Sequence, residues 1–245
     1  MEENFKVLYK KFVDIRNMGW IQSKRKGTTG IGYTFETLLE KPEEHFPIPD
    51  FEDIEIKTMR KFSKKILHLF SITPDGDFLF PMKRALNILG YPSKKNKELK
   101  ILNKDFNATE WTQIGNYRLA KIKVDRKNEK ISLIGHDFLF NDLNLNISWS
   151  FEMLKKRIFI KLNKLAIVFA NCKKEGDRDL FYYNKIDFYK FKDFDTFISL
   201  IEKGIITISF KVEMINSEKI KSRATIFSIN YSDLEKLYDK IELNI

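Results

Sequence analysis

The chain has 245 residues, a length that suits a single domain with two lobes better than two complete domains. Hydrophobic residues at 43% and aromatics at 14% exclude a disordered chain, and 44 Lys and Arg against 34 Asp and Glu, a formal charge of +10, favour a polyanionic partner such as nucleic acid. A lone cysteine, Cys172, and three scattered histidines, His45, His68 and His136, exclude an intrachain disulfide and speak against a zinc or Cys–His enzyme.

Phe5, Leu8, Phe12 and Ile15 recur at helical spacing and predict an amphipathic helix ending near Gly19. Residues 23–32, basic and glycine-rich, read as a loop, after which Thr34 caps a short helix from Phe35 to about Glu40. Pro42, Pro47 and Pro49 exclude regular structure up to Asp50. Ile54 and Ile56 then alternate with Glu55 and Lys57, as in a strand with one apolar face, and a second strand is predicted over Ile66–Ile72. Pro81 and the Gly90/Pro92 pair bracket a helix. Residues 92–112 are weakly patterned and read as a surface segment or one that orders on binding.

Residues 117–124 and 130–134 predict two strands joined by a charged turn. Ser150 caps a helix through Leu154, Ile158 and Leu162, which leads into a buried strand over residues 165–170. Asp195 starts a helix that stops at Gly204; Ile206, Ile208, Phe210 and Val212 then alternate as a strand whose partner is residues 225–229. The Ser232-x-x-Glu235 box predicts a closing helix. The class is α/β or α+β around a mixed sheet. The chain opens acidic, without an apolar leader, and its longest apolar run is too short for a bilayer, so a cytoplasmic protein with no membrane contact is expected.

The segment from Pro49 to Lys57 carries the chemistry. Residues two apart on a strand share a side, so Glu55 and Lys57 project together while Ile54 and Ile56 enter the core. Asp50, at a proline-stiffened entry, is placed to converge with Glu55, and two carboxylates suit Mg²⁺, which keeps waters and accepts phosphate oxygens. Lys57 is then positioned to orient or help deprotonate an attacking water and to offset charge on a pentacovalent phosphate. The same spacing at Glu98–Lys100 and Asp125–Lys127 lacks this context and reads as solvated surface. Glu36 is either a favourable helix-start acid or a third carboxylate near the metal. Lys24, Arg25, Lys26 and Thr28 lie in a loop whose Gly27, Gly30 and Gly32 permit close approach to a phosphate.

In order, Lys26-Gly27-x-x-Gly30-x-Gly32-x-x-Phe35-Glu36-x-Leu38-Leu39, Pro49-Asp50-Phe51 and Ile54-Glu55-Ile56-Lys57-Thr58 resemble the MvaI/BcnI family of restriction endonucleases, which is similar to the mismatch-repair nicking enzyme MutH. The likeness extends to Trp149-Ser150-Phe151 and to Thr225-x-Phe227-x-Ile229-Asn230, and covers nearly the whole chain. It implies a PD-(D/E)xK nuclease fold in which two lobes flank a DNA-binding cleft, the catalytic lobe centred on about residues 20–75 and a recognition lobe mainly over about 200–232. It also implies that Asp50 and Glu55 bind Mg²⁺, with Mn²⁺ able to substitute, that Lys57 serves hydrolysis and that Glu36 assists. The enzyme so implied is a monomer acting on double-stranded DNA, with a cognate DNA methyltransferase encoded nearby but not bound to it. BcnI-like members have histidine at the motif glutamate, so Glu55 places the chain on the MvaI branch. Residues 215–223 contain no histidine, unlike that branch, so no recognition sequence transfers.

Lys211, Lys219, Lys221 and Arg223 cluster on or beside the last predicted hairpin, as base-reading donors or as charges protecting a sheet edge. Three functions fit: a site-specific type II restriction endonuclease, a MutH-like strand nickase, or a DNA-binding protein that does not cut.

Overall fold

The computed structural model describes residues 3–39, 49–61, 66–77, 79–216 and 219–243. Up to the second strand the order is α1 (Glu3–Asn17), β1 (Ile21–Gln22), α2 (Gly30–Leu38) and β2 (Ile54–Arg60). There follow β3 (Ile66–Ile72), α3 (Phe80–Leu89), β4 (Tyr91–Pro92), β5 (Lys100–Phe106), β6 (Thr112–Ile114), β7 (Arg118–Asp125), β8 (Lys130–Asp137) and β9 (Ile147–Ser150). The remainder is α4 (Phe151–Lys161), β10 (Lys164–Glu175), β11 (Arg178–Phe191), α5 (Phe194–Glu202), β12 (Ile206–Met214), β13 (Ile220–Asn230), α6 (Leu234–Leu237) and β14 (Tyr238–Ile241).

These elements form two compact units. The first comprises Met1–Lys65, Ile158–Lys192 and Tyr238–Ile245; the second comprises Ile66–Arg157 and Asp193–Leu237. The first unit has one mixed sheet, ordered β1-β11-β10-β2 with β14 also on β11. β10 runs parallel to β2, in register Leu165↔Glu55 and Ile167↔Lys57. Residues 164–168 of β10 are all buried, the near-continuous burial of a parallel strand covered on both faces. The α1 stripe Phe5, Leu8, Phe12 and Ile15 is buried as its spacing predicts, and the Phe5 ring meets Phe188 of β11 at 4.9 Å.

The second unit has an antiparallel sheet ordered β3-β13-β12-β5-β4 and a meander ordered β6-β7-β8-β9. Its core centres on Trp149, whose indole donates to Thr225 Oγ1 at 3.2 Å and whose ring meets Phe210 and Phe227 edge-on. Trp149, Thr225 and Phe227, which carry the family likeness outside the motif, are therefore core residues.

Three expectations need correction. The second helix starts at Gly30, so Thr34 lies inside it, buried, where its Oγ1 accepts from the Lys24 N–H at 2.9 Å instead of capping. The buried positions of α2 begin at Gly30 and Ile31, and neighbouring glycines disguise that start. Residues 100–106 form β5, between β12 and β4: Leu102 and Phe106 are fully buried, and polar side chains on the other face dilute the pattern. Ser232 and Glu235 open no long helix. The four-residue α6 gives way to β14, because Tyr238 buries its ring against Tyr189 and Phe191 and the strand pairs with β11. His68 is an exposed strand residue bonded to Ser228 Oγ at 3.0 Å. The prolines expected to break regular structure at positions 42 and 47, with Glu40, lie outside the described residues.

Candidate active site

Phe51 and Ile54 exchange both backbone hydrogen bonds, at 2.9 and 2.7 Å, across a tight turn in which Glu52 adopts a φ of +49°. The turn doubles the chain back, so that Asp50 Oδ2 accepts from the Ile56 N–H at 2.8 Å. Asp50 is thereby held beside the strand that carries Glu55 and Lys57. Asp53, within the turn, is otherwise engaged: its two oxygens accept from Asn4 at 2.9 Å and from Lys164 at 2.5 Å. Of the acids between 50 and 55, Asp53 anchors the turn and Asp50 stands free of that anchor.

Glu55 is only 5% exposed. A carboxylate so buried requires compensation, and two ammonium groups supply it. Lys57 Nζ donates to Oε1, and Lys161 Nζ, from the last residue of α4, donates to Oε2 at 2.9 Å. Burial and the neighbouring Glu55 charge push the Asp50 carboxyl above its ordinary range, outweighing Lys57, the Ile56 N–H and Lys161. Burial pulls the Lys57 ammonium down, but Glu55, Asp50 and Glu36 outweigh it, and the net shift is upward. Lys57 is therefore a cation, fitted to donate to a phosphate oxygen or a water.

Glu36 faces this group from α2. A Cβ at Gly32 would lie 3.3 Å from Thr58 Oγ1 and 3.5 Å from Glu36 Oε1, so the glycine serves the close approach of α2 to β2. A Cβ at Gly30 would meet Ser23 Oγ at 2.4 Å and the Arg25 carbonyl at 2.5 Å. The missing side chain there lets the start of α2 pack against residues 23–25.

Among the described residues no group of three or more His, Cys, Asp or Glu side chains is placed to hold a metal, so Glu36 is not gathered with Asp50 and Glu55 into one cage. The donor set fits a hard divalent ion nonetheless: besides burial, the Glu55 charge raises the Asp50 carboxyl, and a cation between two carboxylates would relieve that repulsion. Lys161 was missed in the sequence because it comes from an element 106 positions away.

The basic residues fall into two groups, one in each unit. In the first unit, Arg25, Lys26 and Gly27 line a concavity of about 180 Å³ with Lys174 and Arg178. The Arg25 guanidinium sits 3.7 Å from the centre of the Tyr33 ring, while Lys24 and Thr28 are exposed. In the second unit, Lys211, Lys221 and Arg223 line a concavity of about 200 Å³; Lys219 is not among its walls but at the hairpin turn, its N–H bonded to Asn216 Oδ1 at 2.8 Å. Trp111 and Tyr117, at 40% and 70% exposure, are surface residues.

A model of the MvaI/BcnI restriction endonuclease family matches residues 9–238. The chain belongs to this family. Among solved structures, the MvaI–cognate DNA substrate complex is similar over 98% of both chains, at 28% identity and a TM-score of 0.87. MvaI in the absence of DNA matches over the same shares, at 25% identity and a TM-score of 0.61. Comparison with curated proteins gave no match. As an MvaI/BcnI member the chain is a type II restriction endonuclease, a site-specific deoxyribonuclease, with the mixed α+β fold that the motif resemblance implied. The nickase and non-cutting alternatives yield to that assignment. Restriction endonucleases of this kind generally use a divalent metal. Among the described residues no helix is long and apolar enough to cross a membrane.

Proposed function

We propose that the protein hydrolyses phosphodiester bonds of double-stranded DNA at a short specific sequence, with Asp50 and Glu55 holding Mg²⁺ and Lys57 serving the hydrolytic step. The observation that carries this reading is the grouping of two coupled carboxylates with an ammonium on β2, in a chain of this family. When bound, the metal polarises the scissile phosphate and makes water a better nucleophile near neutral pH. Asp50, fixed by the Ile56 N–H, and Glu55, steadied by Lys161, would hold the ion from positions set by these bonds. Lys57 donates to a non-bridging phosphate oxygen or to the attacking water. Glu36 assists by adding negative potential at Lys57.

In this reading the first unit is the catalytic lobe and the second, with β12 and β13, the recognition lobe. Lys24, Arg25, Lys26 and Thr28 hold backbone phosphate, and Lys211, Lys219, Lys221 and Arg223 approach the bases. The enzyme works as a monomer in the cytoplasm, nicking each strand in turn, and a cognate methyltransferase encoded nearby protects the host DNA. A metal series tests the chemistry. Mg²⁺ and Mn²⁺ should support cutting of duplex DNA, whereas Ca²⁺ should support binding with little cutting, because its looser coordination positions water poorly. Cutting in EDTA would contradict it.

A further inference from the structure

On β12, Lys211 stands opposite Arg223 of β13 on one side and Asn103 of β5 on the other. Two residues along, Glu213 stands opposite Lys221 and Ile101. Side chains two apart share a face, so Asn103, Lys211 and Arg223 form one cross-strand row and Glu213 and Lys221 the next. Such a row of three spans about 10 Å, and successive rows lie about 7 Å apart. Both rows line the same concavity of about 200 Å³. Leu102 and Val212, on the opposite face, are 0% and 2% exposed, so the rows stand on strands fastened to the core.

A carboxylate in this place is informative. Glu213 pairs with Lys221 at 3.7 Å, both side chains being more than half exposed, and such a pair has little net worth. Against a phosphate backbone an acid weakens binding. Against base edges it supplies what Lys and Arg lack, an acceptor for the cytosine N4 amino group. The row width also falls within the major groove, about 12 Å across.

We propose that this face reads base edges in the major groove and that Glu213 and Asn103 determine specificity. Glu213 accepts from the N4 amino group of a cytosine, Asn103 spans N6 and N7 of an adenine, and Lys211, Lys221 and Arg223 donate to guanine O6 and N7. The proposal rests on the endonuclease reading and extends it from a basic surface to a surface of mixed donors and acceptors.

The test uses the full chain, wild type beside Glu213→Ala and Asn103→Ala, and a duplex library with a randomised core. Bound duplexes are selected in Ca²⁺ and sequenced, and the enriched site and its single-base variants are then cut in Mg²⁺. Wild type should enrich one short motif. Glu213→Ala, which removes the acceptor, should lose at least about tenfold discrimination at one cytosine, and Asn103→Ala a similar factor at one adenine, with the other positions kept. If both variants enrich the wild-type motif with unchanged discrimination, the inference fails while the endonuclease reading stands. A shift in one variant alone removes the other residue from it. If wild type neither enriches nor cuts any motif, the endonuclease reading fails and the inference with it.

Discussion

Lys161, at the end of α4, donates to Glu55 Oε2 at 2.9 Å, while Lys57 occupies the other oxygen of the same carboxylate. Glu55 is thus clamped between an ammonium from its own strand and one from a distant helix, with side-chain exposures of 16% for Lys161 and 6% for Glu55. Removing one partner leaves a buried charge undercompensated, a loss on the order of 3 kcal/mol. A divalent cation at Asp50 and Glu55 would restore the compensation. Lys161→Met is therefore expected to lower the melting temperature more without Mg²⁺ than in saturating Mg²⁺. Thermal melts across a Mg²⁺ series check this; equal losses at every concentration would mean that Lys161 only packs.

Asp53 and Asp50 should separate cleanly. Asp53→Ala frees Asn4 and leaves Lys164, 10% exposed, without its carboxylate, a stability loss of about 1–3 kcal/mol. Because Asp53 anchors the turn without joining Glu55, Mg²⁺-dependent cutting by the folded fraction should persist. Asp50→Ala should show the reverse, with cutting lost and stability largely retained. Denaturation curves and single-turnover cleavage of both variants decide it.

Much of this site could be read from the sequence, because its core is local. Asp50, Glu55 and Lys57 lie within eight positions, and alternation with Ile54 and Ile56 reveals the strand that carries them. The α1 stripe and β12 were equally plain, each having one apolar face at a regular period. Tertiary contacts wrote the rest. Lys161 and Lys164 reach the motif only because β10 pairs in parallel with β2. β11 escaped notice although it is the hub of the first sheet, since tyrosines and lysines interrupt its pattern. Tyr238 shows the limit most clearly: its segment has the local signature of a capped helix, yet burial of the ring makes it a strand.

Gly30 should tolerate no side chain. The Cβ of Gly30→Ala would fall 2.4 Å from Ser23 Oγ and 2.5 Å from the Arg25 carbonyl, and backbone cannot yield as a flexible side-chain end does. Overpacking of this kind costs about 1–3 kcal/mol. Chemical denaturation should show that loss. Gly27→Ala, with no neighbour within 4 Å but a φ of +90°, separates backbone strain from crowding.

In the second unit, Arg126 at the β7–β8 turn bonds Glu202 and Asp195 of α5. Its guanidinium holds the Glu202 carboxyl below its ordinary range. A depressed carboxyl stabilises the fold above its unfolded pKa and loses that contribution as pH falls through the folded value. The melting-temperature gap between wild type and Arg126→Gln should therefore be full near neutrality and close below about pH 4.5, the ordinary Glu value. Melts from pH 7 down to pH 3 check the sign; a gap that widens in acid would contradict it.

The most direct test of the account is a digest of mixed-sequence DNA by the purified protein, with and without Mg²⁺, beside Lys57→Ala. The account predicts discrete fragments with identical ends that require Mg²⁺, and a fall of at least about 10²-fold in rate for Lys57→Ala with binding retained. Cutting by Lys57→Ala at the wild-type rate would place the active site elsewhere in the chain.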